Sequence, residues 1–186
     1  MHRAVFLDKD GTLIPDIPYN VDPTRITLFP ETGPALQRLK EAGYRLIVVS
    51  NQSGVARGYF TEEALPAVFR RINALLLPFD VQIDGFNYCA NHPKGTVERY
   101  AIDCDRRKPK PGMLLESALE HQIDLSASWM IGDILNDVEA GNRAGCRTIL
   151  VDRGNETEWQ AGAFRTPTAT AGDLAEAADV IMATPK

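Results

Sequence analysis

Ala4-Val5-Phe6-Leu7 contains no polar side chain, and it is followed at once by Asp8-Lys9-Asp10-Gly11-Thr12. A strand with one wet face alternates apolar and polar residues; a strand covered on both faces does not, so this run reads as the interior of a parallel sheet. The character returns at Arg45-Leu46-Ile47-Val48-Val49, at Trp129-Met130-Ile131 and at Thr148-Ile149-Leu150-Val151, and less clearly at Gly85-Phe86-Asn87-Tyr88. Val180-Ile181-Met182 reads as a further, edge strand.

Helical patterns lie between these runs. Residues 31–42 place Leu36, Leu39 and Ala42 on one face, with Gly43 as a stop. Thr61 is the expected N-cap of the next helix, with Glu62 and Glu63 in its first turn and Pro66 early enough to be tolerated. Residues 111–121 carry the stripe Leu114, Leu115, Ala118 and Leu119, and residues 136–144 form a helix ended by Gly145. The polar, turn-rich stretch 154–172 is expected to be a loosely packed return to a C-terminal helix, with Cys146 and Trp159 as packing residues. Strands alternating with helices require right-handed crossovers, so the predicted class is α/β, a doubly wound parallel sheet.

A chain of 186 residues has material for one core, and the expectation is a single domain over 1–186. With 44% hydrophobic and 24% charged residues it has the composition of a globular protein, not of a disordered one. A net charge of −5 disfavours nucleic acid and anionic membranes as partners. No apolar run approaches the ~20 residues that cross a bilayer, and no signal-like segment precedes the first strand. Three cysteines are too few and odd in number for a disulfide framework. A cytoplasmic monomer is expected.

Doubly wound sheets bind ligands in the crevice at the carboxyl ends of their strands, which makes the polar groups at those ends the candidates. Asp8 and Asp10 are one residue apart, so both can project into the crevice, although Asp and Gly also make ordinary turns and caps. Ser50-Asn51-Gln52-Ser53-Gly54 follows the second strand; a hydroxyl among backbone amides suits a phosphate, or simply a loop. Arg106-Arg107-Lys108-Pro109-Lys110-Pro111 is a solvated basic run, a nucleic-acid contact, or an anion clamp stiffened by its prolines. Asp133 and Asp137 are four apart and would share one face if both were helical; either could equally be an N-cap. Each group alone is equivocal. Four such groups at one end of one sheet describe a cation-plus-phosphate site, with magnesium as the cation that suits carboxylate oxygens.

In their order and content these motifs resemble the haloacid-dehalogenase-like (HAD) phosphatase superfamily, over residues 3–152. Ser50 to Gly58 and Arg107 to Met113 resemble a narrower branch, that of the D,D-heptose 1,7-bisphosphate 7-phosphatases and histidinol-phosphate phosphatases. The resemblance implies a Rossmann-like HAD core and a magnesium-dependent phosphomonoesterase acting on a small phosphorylated metabolite, with a heptose bisphosphate favoured over histidinol phosphate. It implies Asp8 as nucleophile and Asp10 as acid and base, with magnesium on Asp8, the Asp10 carbonyl and Asp133, supported by Asp137. Ser50 and the Asn51 amide, with Gln52 and Ser53 beside them, would hold phosphoryl oxygens; Lys108 would neutralise charge and Arg107 touch the substrate body. Lys110 has no assigned part, since the family lysine precedes the first proline.

No insertion of cap-domain size interrupts the motifs, which leaves selection to short loops: Asp16 to Asn20, with Asp16 and Tyr19 as substrate contacts, and Val55 to Phe60. The branch often carries a structural zinc on Cys-x-His and Cys-x-Cys pairs. Here Cys89 and Cys104 remain, but Asn91 and Arg106 occupy the other two positions, with His92 alone nearby, so zinc is not expected. Two other classes share parts of this pattern. A DNA 3′-phosphatase shares the Asp8 and Asn51-Gln52 motifs but calls for a basic face that this acidic chain lacks. A receiver-type signalling domain has similar groups but is expected to carry its aspartate on a central strand and not on the first.

Overall fold

In the computed structural model, which describes residues 1–185, the first apolar run is β1 (Arg3–Leu7), and its apolar character serves two cores at once. Val5 and Leu7 face one side, among Leu36, Leu39, Val68, Ile72 and Leu174. Ala4 and Phe6 face the other, among Met113, Leu114, Met130 and Ala140. The strand still alternates, but between two apolar layers, which is why its buried part, Ala4 to Leu7, holds no polar residue.

The other strands are β2 (Tyr44–Asn51), β3 (Gly85–Cys89), β4 (Trp129–Gly132), β5 (Arg147–Val151) and β6 (Ala169–Ala171). They form one sheet in the order β3-β2-β1-β4-β5-β6, with every pairing parallel. Helices α1 (Thr32–Glu41), α2 (Leu65–Leu76) and α5 (Leu174–Ala183) contribute to the first apolar layer, and α3 (Gly112–Glu120) and α4 (Leu135–Ala144) to the second. This is a Rossmann-like doubly wound fold, with the winding reversing between β1 and β4. Val5 pairs with Leu46 on one side and Trp129 on the other, and the Asp8 amide donates to the Ile131 carbonyl at 2.9 Å. The ladder therefore holds the backbone of Asp8 rigidly at the lip of the crevice.

The stretches between β1 and α1 (residues 8–31) and between β3 and α3 (90–111) form loops and short 3₁₀ turns, with no inserted sheet or α-helix among the described residues.

Several expectations require correction. Residues 180–182 are the last turns of α5, not an edge strand. Asp173 accepts from the Glu176 amide at 2.9 Å while the Glu176 carboxylate accepts from the Gly172 amide at 2.7 Å, a reciprocal start that commits the segment to helix. Leu174, Ala177, Ala178 and Ile181 then bury at helical spacing. The sheet edge is instead β6, inside the stretch read as an irregular return. Thr61 precedes a 3₁₀ turn (Glu62–Ala64) before α2 begins at Leu65, and its hydroxyl makes no capping bond to a backbone amide. Trp159 is 55% exposed and is not a packing residue, whereas Cys146 is buried as expected. Asp8 also follows a strand that is central in space though first in sequence, so position does not separate this chain from a receiver domain. The strand order does, because receiver-type sheets run 2-1-3-4-5.

Candidate active site

Asp8 follows β1 directly and Asp133 follows β4 directly, so the two carboxylates face each other where the winding reverses. Asp133 is not helical: α4 starts at Leu135, and Asp137 reaches the crevice from the first turn of α4 while accepting from the Ile134 amide at 3.3 Å. The three carboxylates converge, with one oxygen from each within 4.8 Å of the others. Gly11 makes the approach possible. Its φ is +82°, and a Cβ there would lie 2.1 Å from Asp133 Oδ2.

Lys108 enters this acidic group from the loop before α3. Its ammonium lies 2.6 Å from Asp8 Oδ1 and 2.6 Å from Asp137 Oδ1, and it donates to the Val49 carbonyl at 2.8 Å. Asn51 fixes the lysine backbone from both sides: Nδ2 donates to the Lys108 carbonyl and Oδ1 accepts from the Lys108 amide, each at 3.0 Å. The Asn51 side chain is thus committed to placing Lys108.

Burial pushes the Asp8 carboxyl up to about 6, with Lys108 restraining the shift and Asp137 adding to it. Burial, then repulsion from Asp8 and Asp137, pushes Asp133 up to about 8. Lys108 is shifted upward: burial opposes its charge, but Asp137 and Asp8 more than reverse that effect. Three acids and one ammonium leave net negative charge in a buried place, and an all-oxygen donor set with that deficit suits a hard divalent cation such as magnesium.

Asp10 lies to one side of the acidic group. The buried Lys9 ammonium pairs with its Oδ1 at 2.5 Å, and Gln52 Nε2 is 3.4 Å from its Oδ2. The same Gln52 nitrogen donates to the buried Ser50 hydroxyl at 2.8 Å. Asp8, Asp10, Lys108, Asp133 and Asp137 line a cavity of about 340 Å³, together with Asn51, Gln52 and Ser53. Its rim carries Asp16, Pro18, Tyr19, Asn20 and Phe60, from both loops expected to select the substrate. Tyr19 packs edge-on to Tyr59 with ring centres 4.6 Å apart, and burial together with Asp10 raises the Asp16 carboxyl.

Ser50 and Arg107 do not line the cavity. Arg107 donates to the Asn91 carbonyl at 3.3 Å. Arg106 pairs with Glu116, and Lys110 with Asp103 and Asp105, so of the basic run only Lys108 enters the site. Cys89 and Cys104 are free thiols, and burial foremost pushes Cys89 up to about 11. Both His92 ring nitrogens have partners of their own, the Lys94 amide at 3.0 Å and the Arg57 guanidinium at 3.4 Å. Asn155 escaped the sequence reading: its Nδ2 donates to Asp133 Oδ2 at 2.7 Å from a loop with no motif-like pattern.

A HAD-hydrolase-like family model matches residues 105–177. The chain is 43% identical over 155 residues, 83% of its length and 84% of the relative's, to the D-glycero-beta-D-manno-heptose-1,7-bisphosphate 7-phosphatase of Pasteurella multocida (strain Pm70). It is 41% identical over 150 residues to the enzyme of the same name from Escherichia coli (strain K12), covering 81% of this chain and 78% of that one. With the fold, the Asp8 lip and the acidic group in place, the chain belongs to the HAD-like hydrolases. Its relatives there are heptose-bisphosphate 7-phosphatases. Among solved structures, the D,D-heptose 1,7-bisphosphate phosphatase from B. bronchiseptica complexed with magnesium and phosphate superposes with a TM-score of 0.83, at 30% identity, covering 97% of this chain and 98% of that one.

Proposed function

We propose that the chain is a magnesium-dependent phosphatase that removes the 7-phosphate of D-glycero-beta-D-manno-heptose 1,7-bisphosphate by way of a phosphoryl group carried on Asp8. The observation that carries the substrate is the 43% identity, spread over most of both chains, to an enzyme of that name. The chemistry is supported by the convergence of Asp8, Asp133 and Asp137 around Lys108.

Phosphate monoesters hydrolyse so slowly in water that accelerations of up to ~10²¹ are needed. A carboxylate nucleophile divides that barrier into two displacements. In the first, an Asp8 oxygen forms a bond to phosphorus as the bond to the sugar oxygen breaks, and Asp10 gives that oxygen its proton. In the second, Asp10 takes a proton from water, whose oxygen attacks phosphorus and releases Asp8 and inorganic phosphate. Lys108 holds positive charge beside Asp8 throughout, and Asn51 keeps it there. Magnesium, held by Asp8, Asp133, Asp137 and the Asp10 carbonyl, would neutralise charge on the phosphoryl oxygens. The 16–20 and 55–60 loops select the substrate in the absence of a cap, and the chain acts as one monomeric unit in the cytoplasm. Among the described residues no helix is long and apolar enough to cross a membrane.

The test is kcat/KM over heptose bisphosphate of both anomers, histidinol phosphate and fructose 1,6-bisphosphate. The beta heptose should lead by about a hundredfold or more, with turnover abolished in Asp8→Asn. Equal use of histidinol phosphate would refute the substrate, and turnover by Asp8→Asn would refute the chemistry.

A further inference from the structure

Two adjacent residues of the loop after β5 reach different parts of the acidic group. Asn155 Nδ2 donates to Asp133 Oδ2 at 2.7 Å, in the space that Gly11 leaves by having no Cβ; a methyl group at Gly11 would lie 2.6 Å from that nitrogen. Glu156 is buried and takes the first free amide of α4, Leu135, on Oε2 at 2.6 Å. Its other oxygen accepts from the Glu158 and Trp159 amides at 2.8 and 3.2 Å, which closes the loop on itself. One loop therefore grips Asp133 directly and, through the start of α4, the turn that carries Asp137.

The position of these bonds matters more than their number. A carboxylate after a strand end rotates freely about its last torsion unless one oxygen is claimed. Here Asn155 claims Oδ2 of Asp133. Thr12 approaches Oδ1 only distantly, at 3.4 Å. Asn155 has no other hydrogen-bond partner for its Nδ2 among the described residues. Outer partners of metal-binding carboxylates generally set how tightly the metal is held, by fixing the ligand before the metal arrives.

We infer that the 154–159 loop is a positioning layer for the magnesium ligands, with Asn155 acting through Asp133 and Glu156 through the N-terminus of α4. The inference rests on the magnesium reading above, and its readout is metal affinity, not turnover. Magnesium is titrated calorimetrically into the unaltered protein and into Asn155→Leu, which keeps the shape and removes the donor. The dissociation constant should rise about 10- to 100-fold in Asn155→Leu, while kcat at saturating magnesium stays within about threefold. The melting temperature in EDTA should fall by only a few degrees, because the bond removed is one of an apo site under charge repulsion. Asn155→Ser, which retains a shorter donor, should fall between the two and serves where Asn155→Leu does not fold. Unchanged magnesium affinity in Asn155→Leu, within about twofold, overturns the inference and leaves the phosphatase reading intact. A general loss of metal-free stability in proportion to the loss of affinity also overturns it, as that would mark a structural bond only. No uptake of magnesium by the unaltered protein removes the metal reading itself, and this inference with it.

Discussion

Replacing Lys108 with methionine tests the electrostatic account of the site most severely. The ammonium is 2.6 Å from both Asp8 Oδ1 and Asp137 Oδ1, and the side chain is only 2% exposed, so water cannot substitute for it. Removing one partner of a buried ion pair costs about 3–5 kcal/mol, because the remaining charge is left uncompensated. For a chain of this length, at about 2–4 °C per kcal/mol, the metal-free protein should melt some 6–20 °C lower. Lys108 has its pKa raised, so its contribution is complete throughout neutral pH and is lost only at strongly alkaline pH. Without Lys108 to restrain it, Asp8 in the variant takes its proton above pH 6, so the deficit in Lys108→Met should be smallest below about pH 6 and grow as pH rises above it. Magnesium should restore part of the stability, since it supplies the missing positive charge, but not turnover, which should fall about 10²–10³-fold for loss of a charge stabiliser. Differential scanning calorimetry in EDTA and in magnesium, paired with kcat at saturating magnesium, reads both effects. A variant that melts with the parent in EDTA, or loses less than about tenfold in kcat, would refute the reasoning.

Three further outcomes are expected. In the metal-free protein Asp8 at about 6 and Asp133 at about 8 bind protons more tightly than in the unfolded chain; this stabilisation is full below the ordinary carboxyl value of 3.8 and is lost as pH rises through about 8. Magnesium must displace those protons, so the rise in melting temperature it produces should widen between about pH 6 and 8, and a gain independent of pH would contradict this. Gly11→Ala places a methyl carbon 2.1 Å from Asp133 Oδ2 at a φ of +82°, and should cost about 1–3 kcal/mol in denaturant melts and abolish measurable magnesium binding. Tyr19→Ala removes a rim aromatic that touches no reacting group, so KM should rise about tenfold with kcat nearly unchanged; a fall in kcat alone would place Tyr19 in the chemistry.

Strands β1, β2, β4 and β5 were legible because each is covered on both faces and a mostly apolar run has few other readings, whereas β3, half-buried and carrying Asn87, was less clear. The sixth was not. Ala169-Thr170-Ala171 is short, lies at the sheet edge and buries only Ala171, so it carries neither period nor apolar weight. Val180-Ile181-Met182 has strand-like composition, and only the Asp173–Glu176 cap several residues upstream marks it as helix. The site was legible where the ends of central strands confine polar residues: Asp8, Asp10, Lys108, Asp133 and Asp137 all reach one cavity. Local sequence does not show how a side chain divides its bonds. Asn51 serves the Lys108 backbone, Arg107 turns to Asn91, and Asn155 joins Asp133 across 22 residues with no spacing to announce it.

The pocket takes parts from nearly every crossover of the sheet, and its central ion pair joins residues 100 positions apart. No single crossover holds more than a portion of the acidic group, and a half-folded chain has nowhere to gather it. Metal capture and phosphate release should therefore switch on together, at the last docking step of folding. A nascent or damaged copy would neither scavenge ions nor strip phosphate at random, and recovered turnover would count only those molecules whose sheet has closed from end to end.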